Sequence, residues 1–233
     1  MTYAQIIKKM KSHYSPRNIE GMARYGINVK KAYGVPTPVL WGMAKQIRGD
    51  HGLAERLWVT GIHDAKILAA FADDPAQVTE EQMERWARDF DSWDVVDQCC
   101  NRLFWQTSCA HRKAVEWTRR EEEYVKRAGF VLIACLASHD KAAKDAVFVR
   151  YLGLIKKGAP DERNFVKKAV NWALRQNGKR NLSLRKKAMQ AAAEIQMMES
   201  KSARWIAADA LRELKDPKTV ARICAWMLRL RHP

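Results

Sequence analysis

The chain has 233 residues, 47% of them hydrophobic and 29% charged, and carries a formal net charge of +16. That composition excludes a disordered chain, and no run of about eighteen apolar residues appears, which excludes a helical membrane span. Glycine (11) and proline (7) are scarce while Ala, Leu, Lys and Arg abound, a mix that favours helix. The cysteines Cys99, Cys100, Cys109, Cys135 and Cys224 form no CxxC pair and read as reduced thiols of a cytoplasmic protein.

In chain order, "MTYAQIIKKMKSHYSP" is amphipathic, with no continuous apolar core, so it does not read as a signal peptide. "TPVLWGMAKQI" predicts a helix with Thr37 as N-cap and Pro38 at the first helical position. "AERLWVTGIHDAKILAAFA" has apolar residues at helical spacing with a break at Gly61. "VTEEQMERWARDF" places Thr79 as N-cap and Gln82 three residues on, a capping box. Strand signals are nearly absent.

"DAKILAAFA", "VKRAGFVLIACLA", "FVKKAVNWAL" and "SARWIAADALREL" share one pattern, a cation followed by an Ala-rich apolar run. The cations are Lys66, Arg127, Lys168 and Arg204, and "SWDVVDQCCNRLF" falls midway through the longest gap. That gives about five helical units of roughly 30 to 40 residues, the period of stacked helix pairs of the HEAT type. The predicted fold is therefore an all-α solenoid of stacked antiparallel pairs, one domain over 1–233. Its N-terminal helices occupy about 1–50 and its repeats about 51–233.

Charge is placed unevenly. Residues 1–118 hold 16 Lys and Arg against 14 Asp and Glu, whereas residues 119–233 hold 26 against 12. Within 163–193 there are nine cations and no carboxylate. A solvated helix face mixes both signs, so a one-sign stretch points to a polyanion, and nucleic acid is the expected partner. The second helix of each pair is expected to line a concave, basic groove that grips a nucleic-acid backbone.

The acidic island "FDSWDVVDQCC" stands out against this charge. Asp91 and Ser92 fit a helix start, and Asp94 fits the first turn. Asp97 lies beyond the reach of capping, one turn from Trp93 and on its face of the helix, among Val95, Val96 and Cys100. It is the residue least explained by folding. Trp172, in "KKAVNWALRQ", reads by itself as core, as do most of the nine tryptophans.

"MARYGI", "GVPTPVLWGMAK", "SWDVVD", "YVKRAGFVLIA" and "FVKKAVNWALRQ", in that order, resemble the DNA alkylation repair glycosylases of the AlkD family, which are HEAT-like repeat proteins. The resemblance covers most of the chain. It implies that Trp93, Asp97 and Trp172 form the lesion site, that Arg127 meets the DNA backbone and that Tyr25 lies near the cleft. Lys167, Lys168, Arg175, Lys179, Arg180, Arg185, Lys186 and Lys187 would supply phosphate contacts. One departure is visible: the helix after "TP" usually carries an arginine in that family, where this chain has Leu40 and Trp41.

The implied reaction suits these residues. A purine alkylated at N3 or N7 is cationic and leaves as a neutral base, so no general acid is needed. What needs stabilising is the oxocarbenium-like sugar, by a nearby carboxylate and by aromatic faces. The carboxylate can also hold the attacking water as a base. The implied function is a monofunctional DNA glycosylase for alkylated purines in double-stranded DNA, such as 3-methyladenine and 7-methylguanine, without a tight base-flipping pocket. It would need no cofactor and no metal, since no His/Cys cluster has zinc spacing. The expected protein is a cytoplasmic, nucleoid-associated monomer. The competing expectation is a non-catalytic HEAT-like nucleic-acid-binding protein.

Overall fold

A computed structural model describes residues 1–229, and among them every regular element is helical. The chain divides into two compact units, Met1–Cys109 and Ala110–Pro233. No described helix is long and apolar enough to cross a membrane.

The first unit holds α1 (Tyr3–Ser12), α2 (Pro16–Arg24), α3 (Thr37–Ala44), α4 (His51–Val59), α5 (His63–Ala72), α6 (Glu80–Arg88) and α7 (Trp93–Gln98). Turn chemistry sets the boundaries. Gly61 adopts φ 66°, a left-handed conformation open to glycine at little cost, and separates α4 from α5 where the sequence predicts a break. Two predicted caps change. Pro36, not Thr37, precedes α3 and offers no side-chain cap. Thr79 does cap α6, accepting from Gln82 N at 3.2 Å. The Gln82 side chain does not close the capping box, however; it donates to the Asp73 carboxylate at 2.7 Å. Asp73 is buried, and a buried carboxylate oxygen costs more to leave unmade than a loop N–H at a helix start.

The core of this unit is built on tryptophan. Trp58 and Trp86 stack with centroids 3.9 Å apart, both almost fully buried. Their indole N–H groups cannot be buried unpaired, and each finds a carboxylate, Trp58 on Asp89 at 2.8 Å and Trp86 on Glu55 at 2.9 Å. Both bonds join residues 31 apart. The same offset recurs between Tyr33 N and Asp64 and between His63 and Asp94.

The second unit holds α8 (Ala110–Trp117), α9 (Glu123–His139), α10 (Asp145–Gly158), α11 (Asn164–Lys179), α12 (Leu182–Gln196), α13 (Lys201–Lys215) and α14 (Pro217–Arg229). From Arg127 to Ala137 every residue of α9 is buried, so this helix is central, flanked by α8 and α11, with α13 beyond α11. Here the ties run at an offset of 38: Arg127 to Phe165 O, Asn171 to Asp209, Arg175 to Glu213, Lys156 to Glu194 and Ser200 to Glu162. The cations Lys66, Arg127, Lys168 and Arg204 fall on α5, α9, α11 and α13, the second helices of their hairpins.

One tie gives an acid-stability prediction. Asp161 accepts from Arg163 Nη2 at 2.7 Å and pairs with Lys126 at 3.0 Å. Burial opposes its charge, but these two partners outweigh burial and hold its pKa at about 2. A depressed folded-state pKa contributes stability above the unfolded value, which is lost as pH falls from about 4 toward 2. An Asp161→Asn variant is therefore expected to be less stable than wild type at neutral pH and to lose less stability over that interval. Urea unfolding at stepped pH checks this; parallel losses in both proteins would contradict it.

Candidate functional site

The site is built on α7. Val95, Val96, Cys99 and Cys100 are fully buried, so one side of the helix belongs to the core. Trp93, Asp94 and Asp97 fall on the other side and are half-buried. Trp93 and Asp97 share that face, one turn apart, as their spacing predicts. After Gln98 the helix widens into a π turn, Cys99–Leu103, and tightens again at Phe104–Gln106. Such widened turns cluster at functional sites.

The helix start is not capped in the expected way. Ser92 precedes α7 but makes no side-chain cap, because its Oγ accepts from Asn28 N at 2.7 Å. Asp91 accepts from Asn28 Nδ2 at 2.7 Å and lies 3.6 Å from the Lys66 ammonium. Asp94 bonds His63 Nε2 at 2.8 Å. Asp91 and Asp94 thus fasten α7 to the 25–35 segment and to α5; Asp94 lies in the first turn as expected, while neither Asp91 nor Ser92 caps the helix. Trp93 completes the attachment, its indole N–H donating to the Tyr25 carbonyl at 2.9 Å. The Tyr25 side chain itself is 75% exposed. Tyr25, Trp93 and Asp97 are therefore brought into one neighbourhood within the first unit.

His63 and Lys66 of α5 are both buried. Burial alone would lower the His63 pKa. The Asp94 hydrogen bond and the charges of Asp94, Asp64 and Asp91 outweigh it and hold the imidazole above its ordinary value. Lys66 donates to the Asp89 carbonyl at 2.8 Å and lies over the Trp58 ring. Sequence reasoning missed His63 and Asn28 as site residues. The available signal was position: a histidine opening one of the repeated Ala-rich helices, and an asparagine following "MARYGI".

The second unit holds Arg127, Lys168, Trp172, Arg175, Lys179 and Arg180. Trp172 is half-buried, and the Gln176 amide bridges its indole N–H at 2.9 Å to Ser138 Oγ at 3.2 Å. Arg127 is buried, its guanidinium donating to the Phe165 carbonyl at 2.6 Å. The one-sign run 163–193 is only partly uncompensated. Arg175 and Lys179 each reach Glu213 at 2.8 Å. Arg180 is buried, bonded to the Ala137 and Ala143 carbonyls and packed on the Phe148 ring, so it serves the interior. Arg185 bonds the Leu214 carbonyl. Lys168, Lys186 and Lys187 are exposed, and no ion pair engages them among the described residues. Trp205, half-exposed with the Lys167 ammonium 5.1 Å from its ring centroid, adds an aromatic surface that sequence reasoning did not single out.

Among the described residues no three His, Cys, Asp or Glu side chains converge in a way that would hold a metal ion.

No curated protein matches the chain. Among solved structures, it is similar to one described as belonging to a new family of proteins related to the HEAT-like repeat DNA glycosylases with affinity for branched DNA structures. The two share 21% identity over 91% of this chain and 95% of the other, with a TM-score of 0.77. At that identity the likeness shows the fold, a HEAT-like helical repeat. The sequence profile of the DNA alkylation repair enzyme family matches residues 6–228, and the chain belongs to that family.

Proposed function

We propose that the protein is a monofunctional DNA glycosylase that hydrolyses the N-glycosidic bond of N3- or N7-alkylated purines in double-stranded DNA. The observation that carries this reading is Asp97, a half-buried carboxylate one turn beyond Trp93 on the face of α7 that the core leaves open. Membership of a DNA alkylation repair family supports the substrate class. The alkylated base is already cationic and departs neutral, so positive charge grows on the deoxyribose. Asp97 opposes that charge and accepts a proton from the attacking water, while the face of Trp93 stabilises the cation. Arg127 is held rigidly by the Phe165 carbonyl and adds fixed positive charge. Lys168, Lys186 and Lys187 contact phosphates, with Arg175 and Lys179 held back on Glu213. Release of free 7-methylguanine and 3-methyladenine from methylated duplex is the test, and a wild-type protein that releases neither ends this reading.

DNA affinity is expected to fall about tenfold for every two phosphate contacts between about 50 and 200 mM salt. A filter-binding series on undamaged duplex measures the slope, and a flat response would remove the backbone-gripping model.

A second reading has one observation behind it, the description of the structurally similar protein as having affinity for branched DNA. A four-way junction bound about tenfold or more tighter than linear duplex, with no base released, favours a non-catalytic binder; 1.4 kcal/mol per decade sets that scale.

A further inference from the structure

A cavity of about 260 Å³ opens at the start of α5, beside the start of α7, lined by Asn28, Lys30, Lys31, Gly61, His63 and Lys66, with Asp91 at its edge. It has room for a group several times the size of a water molecule. Each nearby carboxylate has a partner, although Asp94 Oδ1 is enclosed with none among the described residues. Asp91 takes Asn28 Nδ2 and faces Lys66; Asp94, behind the ring of His63, takes its Nε2; Asp64 takes the backbone N–H groups of Tyr33 and Val35. Its donors are not all taken. Lys30 and Lys31 are exposed, and no ion pair engages either among the described residues. Lys66 has three N–H groups, one given to the Asp89 carbonyl and one aimed at Asp91, 3.6 Å away. The His63 ring lines the cavity at 6% exposure, and its Nδ1 is enclosed with no partner among the described residues.

We propose that this cavity seats a phosphate group, held by Lys30, Lys31, Lys66 and His63 Nδ1. Three ammonium groups against one carboxylate favour an anion. Donors arriving from the Asn28–Lys31 segment and from α5 suit an ion with several acceptor oxygens better than a planar carboxylate. A buried ammonium with a carbonyl and a distant carboxylate as partners is also costly, and a phosphate beside Lys66 offsets that cost. The seat lies two residues before Trp93, at the segment that holds the Trp93 indole, so in the DNA reading its occupant is a backbone phosphodiester next to the lesion. That last assignment rests on the proposed function; the phosphate seat itself does not.

Proton linkage follows from the geometry. Protonated His63 donates from both ring nitrogens, to Asp94 and to the phosphate. The charged groups facing it are Asp94 of α7, Asp91 before α7, Asp64 and Lys66 of α5, and Lys31 of the adjoining segment. Because the Asp94 hydrogen bond and the three carboxylates outweigh burial and hold its pKa above the ordinary value, phosphate binding tightens as pH falls through the imidazole's raised titration.

The test follows the His63 imidazole by NMR in the full chain, histidine-labelled and in phosphate-free buffer. The two probes are inorganic phosphate and an undamaged DNA duplex. Saturable movement with phosphate is expected, reversed when duplex competes. Lys31→Gln, at an exposed position, weakens phosphate about tenfold with an unchanged melting temperature. Movement with duplex alone also supports the seat and assigns it to the phosphodiester. Movement with phosphate that duplex does not displace upholds the seat and overturns its assignment to DNA. No movement with either probe, or full phosphate affinity in Lys31→Gln, overturns the proposal. Base release is assayed separately on wild-type protein, so loss of the glycosylase reading leaves the His63 titration intact.

Discussion

Asp97→Asn is expected to slow release of 7-methylguanine from methylated duplex by about 10²–10³ while leaving affinity for that duplex within about twofold; this is the range for removing one preorganised electrostatic partner of a transition state. The asymmetry comes from charge. Asparagine keeps the shape of the half-buried side chain and exchanges one acceptor oxygen for a donor amide; the attachments of α7 to Asn28, Tyr25 and His63 run through Ser92, Trp93 and Asp94 and are preserved. What is lost is a negative charge that matters when the sugar becomes cationic, and a base for water. The ground-state duplex is itself a polyanion, so removing a carboxylate does not weaken its binding. Single-turnover rates and binding isotherms on the same methylated duplex separate the two effects. Equal rates in variant and wild type would remove Asp97 from the chemistry, and a common loss of rate and affinity would make it a structural residue.

The largest expected stability effect lies in the second unit, far along the chain from that chemistry. Gly129→Ala is expected to destabilise by about 3 kcal/mol, the upper end of overpacking costs. Gly129 sits within α9 where α8 ends, and a Cβ there would meet Thr118 N at 2.4 Å and the Trp117 carbonyl carbon at 2.7 Å. Both are backbone atoms, so no side chain can swing aside, and α8 has to move. Helix propensity alone predicts the opposite sign, since alanine is better than glycine by about 1 kcal/mol in a helix interior. Gly153→Ala on α10 isolates that opposite sign: its Cβ meets nothing within 4 Å, and a gain of about 0.5–1 kcal/mol is expected. Urea midpoints for both variants decide the matter; if Gly129→Ala stabilises as Gly153→Ala does, the close approach of α8 and α9 is not real.

These two glycines show where sequence stops informing. Both interrupt apolar helical runs in the same manner, and nothing local distinguishes them, because the obstacle to Gly129 is the end of another helix. The helices themselves were legible. Lys66, Arg127, Lys168 and Arg204 each fall on the second helix of a hairpin, as a cation preceding an Ala-rich run suggested. The face shared by Trp93 and Asp97 was legible too, since it needs only helical geometry. Partners at a distance were not. Asp94 is the first-turn acid its position suggested, but its partner His63 lies 31 residues back. The run of nine cations looked uncompensated, whereas Arg175 and Lys179 reach forward to Glu213. Gln82 had the spacing of a capping box and turned to Asp73 instead. In each case the partner lies too far along the chain for local spacing to reveal it.

The π turn at Cys99–Leu103 amounts to one residue inserted into an ordinary helix, so the helix carries an extra residue between the half-buried Trp93 and Asp97 and the buried Phe104. Deleting a single codon there would restore regular hydrogen bonding and relieve the widened backbone. It would also rotate Trp93 and Asp97 by about 100° relative to Phe104. A one-residue deletion there is thus expected to keep the helices and turn the Trp93–Asp97 face away from its present direction.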